Sequence, residues 1–169
     1  MVHSDQQCRS EMDEAVQIAG TQGLTVFMKR RPHLVEFLTE ANRLFEVVLF
    51  TASQREYADE LLKIVDPERR LLRYRLYRDS CVFVNGVYVK DLGILGRDLS
   101  QVIMIDNSLC AFAYHLDNGI LVRSWFEDWE DTVLLQLLAY LKRFIIGAQD
   151  VRAVLRRHFE LFKLTELSC

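Results

Sequence analysis

The sequence predicts an α/β domain, a doubly wound parallel sheet with a small β-hairpin inserted into it. Three observations point there. Two short apolar runs, Val47-Val48-Leu49-Phe50 and Val102-Ile103-Met104-Ile105, end abruptly in polar groups, Thr51-Ala52-Ser53 and Asp106-Asn107-Ser108. Runs of four apolar residues suit strands buried on both faces. Segments with apolar residues at helical spacing alternate with these strands, which is the pattern of a parallel sheet with helices on its faces. Between the two runs, Val82-Phe83-Val84-Asn85-Gly86-Val87-Tyr88-Val89 reads as a hairpin by its Asn-Gly turn.

Taken in order, residues 1–23 are polar, rich in Gln and interrupted by Gly20 and Gly23, so they read as a loop or extension. The domain proper is expected over 24–163. Residues 24–28 form a short strand. Pro32 is placed as the first residue of a helix, on which Leu34, Phe37, Leu38, Ala41 and Leu44 follow at helical spacing. After strand 47–50, Ser53-Gln54-Arg55-Glu56 matches a capping box. The helix it opens carries Tyr57, Ala58, Leu61, Leu62 and Val65 on one face and stops at Asp66-Pro67. Residues 72–77 alternate apolar side chains with Arg73 and Arg75, as a half-exposed strand does. Strand 102–105 is followed by a short helix over 109–115, and Asp117-Asn118-Gly119 turns the chain into strand 120–122. Two helices close the domain, one from near Asp131 packing Leu134, Leu135, Leu137, Leu138 and Leu141. The other is capped by Asp150 and packs Val151, Val154, Leu155 and Phe159.

Composition narrows the function. The 169 residues suit one domain, and at 50% hydrophobic they supply an ample core. A net charge of −3 makes no general case for nucleic-acid binding. Cys8, Cys81, Cys110 and Cys169 are scattered without a C-x-x-C pair, so neither a zinc site nor a disulfide framework is indicated. Reduced thiols place the chain by default in the nucleus or cytoplasm. No apolar run approaches the roughly 18 residues of a membrane span, and the first residues lack a signal-peptide apolar region.

The candidate chemistry lies at the two strand ends, where open α/β sheets bind ligands. Asp106 and Asn107 side by side suit Mg²⁺, which takes oxygen ligands and keeps several waters; Asp, Asn and Ser also simply end strands and cap helices. The Thr51 hydroxyl, with N–H groups at a helix start, suits a phosphate, but it equally suits an ordinary strand end. Lys90 would neutralise charge developing on a phosphoryl group, or stand solvated. Arg69, Arg70, Arg73, Arg75 and Arg78 either attract an anionic partner or form one solvated face, with Arg78 the best candidate for a ligand contact. Trp125 and Trp129 read as packing residues, and His33, His115 and His158 lack metal-ligand spacing.

In sequence order, Arg31-Pro32-His33, Val48-Leu49-Phe50-Thr51-Ala52-Ser53, Tyr57-Ala58-Asp59 and Arg78-Asp79-Ser80-Cys81 are followed by Tyr88-Val89-Lys90-Asp91-Leu92 and Leu95-Gly96-Arg97-Asp98-Leu99. Ile105-Asp106-Asn107-Ser108, Asp117-Asn118-Gly119 and Ser124-Trp125-Phe126 complete the set. Together they resemble the C-terminal-domain phosphatases of the haloacid dehalogenase superfamily, with wording shared with the small phosphatase-like 2 branch. The resemblance spans roughly residues 24 to 160.

It implies a haloacid dehalogenase-like fold and a Mg²⁺-dependent phosphatase acting on phosphoserine or phosphothreonine in a protein, without direct nucleic-acid contact, as a monomer. One aspartate would attack phosphorus to form an aspartyl-phosphate, and a second would protonate the leaving alkoxide and then activate water. By position, Thr51 would contact the phosphoryl group and Lys90 would pair with it. Asn107 would ligate Mg²⁺, with Asp106 supporting through water or Lys90. Arg78 would help seat the phosphopeptide, and the hairpin would act as a small cap.

One departure is severe. The first motif of that family, Asp-x-Asp-x-Thr, occurs nowhere in the 169 residues. Met1-Val2-His3-Ser4 resembles what directly follows the motif in relatives, so Met1 is expected to be an internal methionine of a longer reading frame. The central first strand would then be missing and the chain catalytically dead. The rival expectation is a non-catalytic interaction module of the same fold, either a pseudophosphatase or a domain like that of the mitochondrial translocase receptor.

Overall fold

A computed structural model describes residues 2–5, 14–17 and 25–159. The chain divides into two units, Met1–Asp79 with Ser124–Ala139, and Ser80–Arg123 with Tyr140–Cys169.

In the first unit, β1 (Val2–Asp5) and β2 (Glu14–Gln17) both run antiparallel to β3 (Thr25–Arg30), in the order β1-β3-β2. Val2 lies opposite Arg30 and Gln17 opposite Thr25. Two strands thus fall within the stretch read from sequence as loop. Neither carries a run of alternating apolar residues, so the pairing offered by β3 decides their conformation where local pattern does not. Val26 and Met28 of β3 alternate into the core. Lys29 is buried as well, and its ammonium reaches Glu127 at 3.0 Å.

Helix α1 (Leu34–Leu44) buries Leu34, Phe37, Leu38 and Ala41 at the expected spacing. It starts two residues later than Pro32. Leu34 N–H donates to the Arg31 carbonyl at 3.2 Å, and His33 holds the cap position in the left-handed region at φ 63°. Pro32 therefore occupies the turn that delivers the helix, not its first residue.

Strand β4 (Val48–Phe50) pairs in parallel with β5 (Tyr74–Leu76), the crossover being α2 (Arg55–Val65), which buries Ala58, Leu62 and Val65. The capping box does not form. Gln54 is the cap residue and makes no side-chain cap bond, while the Ser53 N–H donates to the Thr51 hydroxyl at 3.1 Å.

In the second unit, β6 (Val82–Val84) and β7 (Val87–Val89) make the hairpin. Asn85 and Gly86 both have positive φ, 49° and 86°, which a two-residue turn matched to strand twist requires. Phe83 and Tyr88 sit opposite one another with ring centroids 4.8 Å apart. Strand β8 (Met104–Asp106) pairs in parallel with β9 (Gly119–Leu121). Their connection is two short 3₁₀ turns, Leu109–Phe112 and Leu116–Asn118, in place of the α-helix read there. Asn118 is only 2% exposed, and its amide donates to the carbonyls of Leu99 and Val102, both at 2.7 Å.

The closing helices are α3 (Val133–Tyr140), which continues into a π-helical turn over Leu141–Ile145, and α4 (Val151–Phe159). Asp150 caps α4 as expected, accepting from the Arg152 N–H at 2.9 Å.

The fold is mixed α/β with two parallel strand pairs. Among the described residues one parallel pair belongs to each unit, and each is a two-stranded sheet. The core of the second unit gathers Leu92, Met104 and fully buried Phe112, with Leu95, Leu116 and Leu121 among the side chains against it. Phe112→Ala is expected to cost about 3–5 kcal/mol, because a rigid interior closes only partly around the void. Urea unfolding of the two proteins measures it.

Candidate functional site

Each unit delivers polar groups to the carboxyl end of a parallel strand. In the first, Thr51 follows β4. Its N–H continues the ladder to the Leu76 carbonyl at 2.9 Å, and its hydroxyl accepts from Ser53 N–H, so the side chain is fixed by the turn it starts. Arg78 braces that turn. Its backbone N–H donates to the Ser53 carbonyl at 3.0 Å and its Nε to the Ala52 carbonyl at 2.6 Å. Thr51 and Arg78 are thereby held in one loop cluster.

Of the other arginines of that segment, Arg69, Arg70 and Arg73 are exposed, as on a solvated face, and Arg75 is not. The Arg75 side chain is 7% exposed and lies between Asp59 at 3.4 Å and Asp66 at 3.3 Å. Tyr77 is buried and donates its hydroxyl to Asp59 at 2.6 Å. The Arg55 guanidinium covers its ring, 4.2 Å from the centroid. Burial, then the Asp59 bond, pushes the Tyr77 phenol up.

In the second unit, β7 leads directly into Lys90 and β8 ends at Asp106. Lys90 is 8% exposed, and its ammonium donates to Asp106 Oδ2. Asp106 Oδ1 accepts from Ser108 N–H at 2.8 Å. An ion pair with both members this far from water is oriented by its surroundings, unlike a solvated lysine. Asn107 follows and is exposed. The structure thus brings Lys90 and Asp106 together, with Asn107 beside them at the same strand end.

This edge offers one carboxylate and one amide oxygen. Mg²⁺ takes few protein oxygens and completes its shell with water and substrate phosphate, so the donor types fit. Lys90 already lies on Asp106, and the exposed Asn107 is the more accessible of the two side chains. Among the described residues no group of three His, Cys, Asp or Glu side chains is arranged for a metal.

Several residues carry more than their sequence signal announced. Asp66 is 3% exposed and accepts backbone N–H bonds from Arg70, Leu71 and Leu72 at 2.9, 3.1 and 2.8 Å. It therefore folds the turn after α2, where sequence pattern marks only a helix stop. Arg31 is 3% exposed and makes a bidentate pair with Asp131, both bonds 2.8 Å. His115, which lacks metal-ligand spacing, has its Nε2 2.8 Å from Asp91 Oδ1. No local periodicity signals the Arg31–Asp131 and Asp91–His115 partners, which lie 100 and 24 residues apart along the chain.

The class defined here is a mixed α/β fold with polar groups at the carboxyl ends of its parallel strands and a buried lysine–aspartate pair in the second unit. The structure matches that of Fcp1, an essential RNA polymerase II C-terminal-domain phosphatase, with a TM-score of 0.55 and 26% identity over 92% of this chain and 38% of that one. A fission-yeast Fcp1 variant bound to beryllium fluoride gives a TM-score of 0.58 at 21% identity, covering 98% of this chain and 48% of that one, and speaks for the fold alone. The NLI interacting factor-like phosphatase family matches residues 1–152, and the chain belongs to that family.

Among relatives, the C-terminal-domain small phosphatase-like protein 2 of Dictyostelium discoideum is 51% identical over 139 residues, 82% of this chain and 24% of that protein. The small phosphatase-like protein 3 of Caenorhabditis elegans is 47% identical over 136 residues, 80% of this chain and 47% of that protein. The human small phosphatase-like protein is 43% identical over 159 residues, 93% of this chain and 56% of that protein. The chain thus spans from about a quarter to just over half of these relatives' lengths. No helix among the described residues is long and apolar enough to cross a membrane.

Proposed function

We propose that the chain carries phosphoryl-binding residues of a Mg²⁺-dependent protein serine/threonine phosphatase in each of its two units, and that the 169-residue chain by itself does not turn over. The buried Lys90–Asp106 pair at the end of β8 supports the first statement. A preorganised ammonium at a strand end is placed to neutralise a phosphoryl group without waiting for solvent to reorganise. Thr51, fixed by its own turn, holds a phosphoryl oxygen, and Arg78 keeps that turn in place while it helps seat a phosphorylated peptide. Asn107, with Asp106, holds Mg²⁺, which when bound neutralises phosphoryl oxygens.

The second statement rests on chemistry missing from the sequence. No Asp-x-Asp-x-Thr occurs in it, so no side chain is assigned to attack phosphorus or to protonate the leaving oxygen. A phosphoprotein substrate and a nuclear or cytoplasmic location belong to the same reading.

Hydrolysis of an aryl phosphate with Mg²⁺ tests both. The chain as given is expected to release no phenol above background. A fusion that supplies an apolar strand ending in Asp-x-Asp-x-Thr ahead of Met1 is expected to gain turnover. That turnover should fall about a hundredfold or more in Lys90→Ala and vanish on chelation of Mg²⁺. Mg²⁺-dependent hydrolysis by the unmodified chain, lost in Asn107→Ala, overturns the inactivity. A folded fusion that never turns over overturns the phosphatase reading.

A further inference from the structure

We infer that His115 is a positioning residue for Lys90, acting through Asp91. Three tethers bind the segment after β7 to the 3₁₀ connection between β8 and β9. The Lys90 N–H donates to the Ala111 carbonyl at 3.2 Å. Leu92 packs in one cluster with Phe112. The third tether is the Asp91 carboxylate, whose Oδ1 lies 2.8 Å from both Gly93 N–H and His115 Nε2.

An ionised carboxylate only accepts, so Nε2 carries the proton and donates. That bond, with the Gly93 N–H, holds the Asp91 carboxyl below the usual carboxylate range. Asp91 also caps the turn Leu92–Leu95, so its orientation sets where the chain leaves Lys90. The His115 side chain is 14% exposed, against 36% for Asp91, which makes the imidazole the inner and better fixed partner. With the donor removed, Asp91 keeps only its local Gly93 bond, and the segment that carries Lys90 loses one of its three tethers, which loosens the aim of the long Lys90 side chain at Asp106.

The inference rests on the reading of Lys90 as a phosphoryl-binding group only for its functional consequence. Its test needs no turnover, so its failure and the failure of that reading are distinguishable. A lysine ammonium that is buried and hydrogen-bonded exchanges its protons slowly, and its Nζ–H signal is visible in ¹⁵N-lysine spectra. Lys90 is expected to give such a signal in the unaltered chain, identified by its absence in K90R. His115→Phe keeps a ring but has no donor, whereas His115→Gln keeps an N–H able to reach Asp91. The signal should be lost in H115F and retained in H115Q, with dispersed methyl resonances in both. Retention in H115F, loss in H115Q, or unfolding of H115F overturns the positioning role, the last because His115 would then be an ordinary packing residue.

Discussion

Arg31→Ala is expected to destabilise the protein by about 3–5 kcal/mol, the loss typical when one member of a buried ion pair is left alone. Arg31 follows β3 directly, and its guanidinium meets Asp131 with both partners largely out of water, their side chains 2% and 11% exposed. The bidentate fork adds geometric specificity that a lysine does not reproduce, so Arg31→Lys should recover only part of the loss. Asp131 has a second duty, accepting from the Val133 N–H at 3.2 Å where α3 begins. Asp131→Ala should therefore cost at least as much as Arg31→Ala. The neighbouring pair behaves differently. The Glu127 side chain is 70% exposed, so Glu127→Ala should cost under about 1 kcal/mol. Urea unfolding of the variants decides the order, and equal losses for Arg31→Ala and Glu127→Ala would refute it.

Asp66→Ala is expected to cost a similar amount, about 3–5 kcal/mol, for a different reason. Removing the carboxylate leaves three backbone N–H groups without their acceptor and takes one counter-charge from buried Arg75. Asp66→Asn keeps one acceptor oxygen and should lose less. The same group gives a pH dependence. Burial pushes its carboxyl up, but the N–H bonds from Leu71, Leu72 and Arg70 and the Arg75 charge outweigh burial and hold it below the usual carboxylate range. The Arg31 bond does the same for Asp131. A lowered folded pKa means that the stabilisation is fully present above the unfolded carboxylate value, near 4. It is then lost as pH falls through the folded value. Unfolding free energy should therefore drop with acid below about pH 4, with a shallower slope in Asp66→Asn. An unchanged slope would contradict the assignment.

What sequence could disclose follows from the range of each signal. Helical spacing placed the buried faces of α1, α2, α3 and α4 because that signal repeats within a dozen residues. Asn85-Gly86 marked the hairpin because the turn itself demands positive φ. The polar residues after 47–50 and 102–105 pointed to Thr51, Asp106 and Asn107. They did not themselves disclose that Lys90 meets Asp106, a partner 16 residues away; only the family resemblance implied that link. β1 and β2 were illegible because strand pairing with β3 supplies their order. Pro32 and Ser53 carried correct local chemistry, yet the structure uses Pro32 in a turn and leaves Gln54 as the cap of α2.

The Arg31–Asp131 pair closes a span of 100 residues, and that span sets an order on the ribosome. The first unit takes its last piece, 124–139, from beyond the whole of 80–123. When β3 and α1 emerge, Glu127 and Asp131 have not yet been made, so these two ion pairs of Lys29 and Arg31 cannot form. Both pairs can close only after the second unit's hairpin and parallel pair have been synthesised.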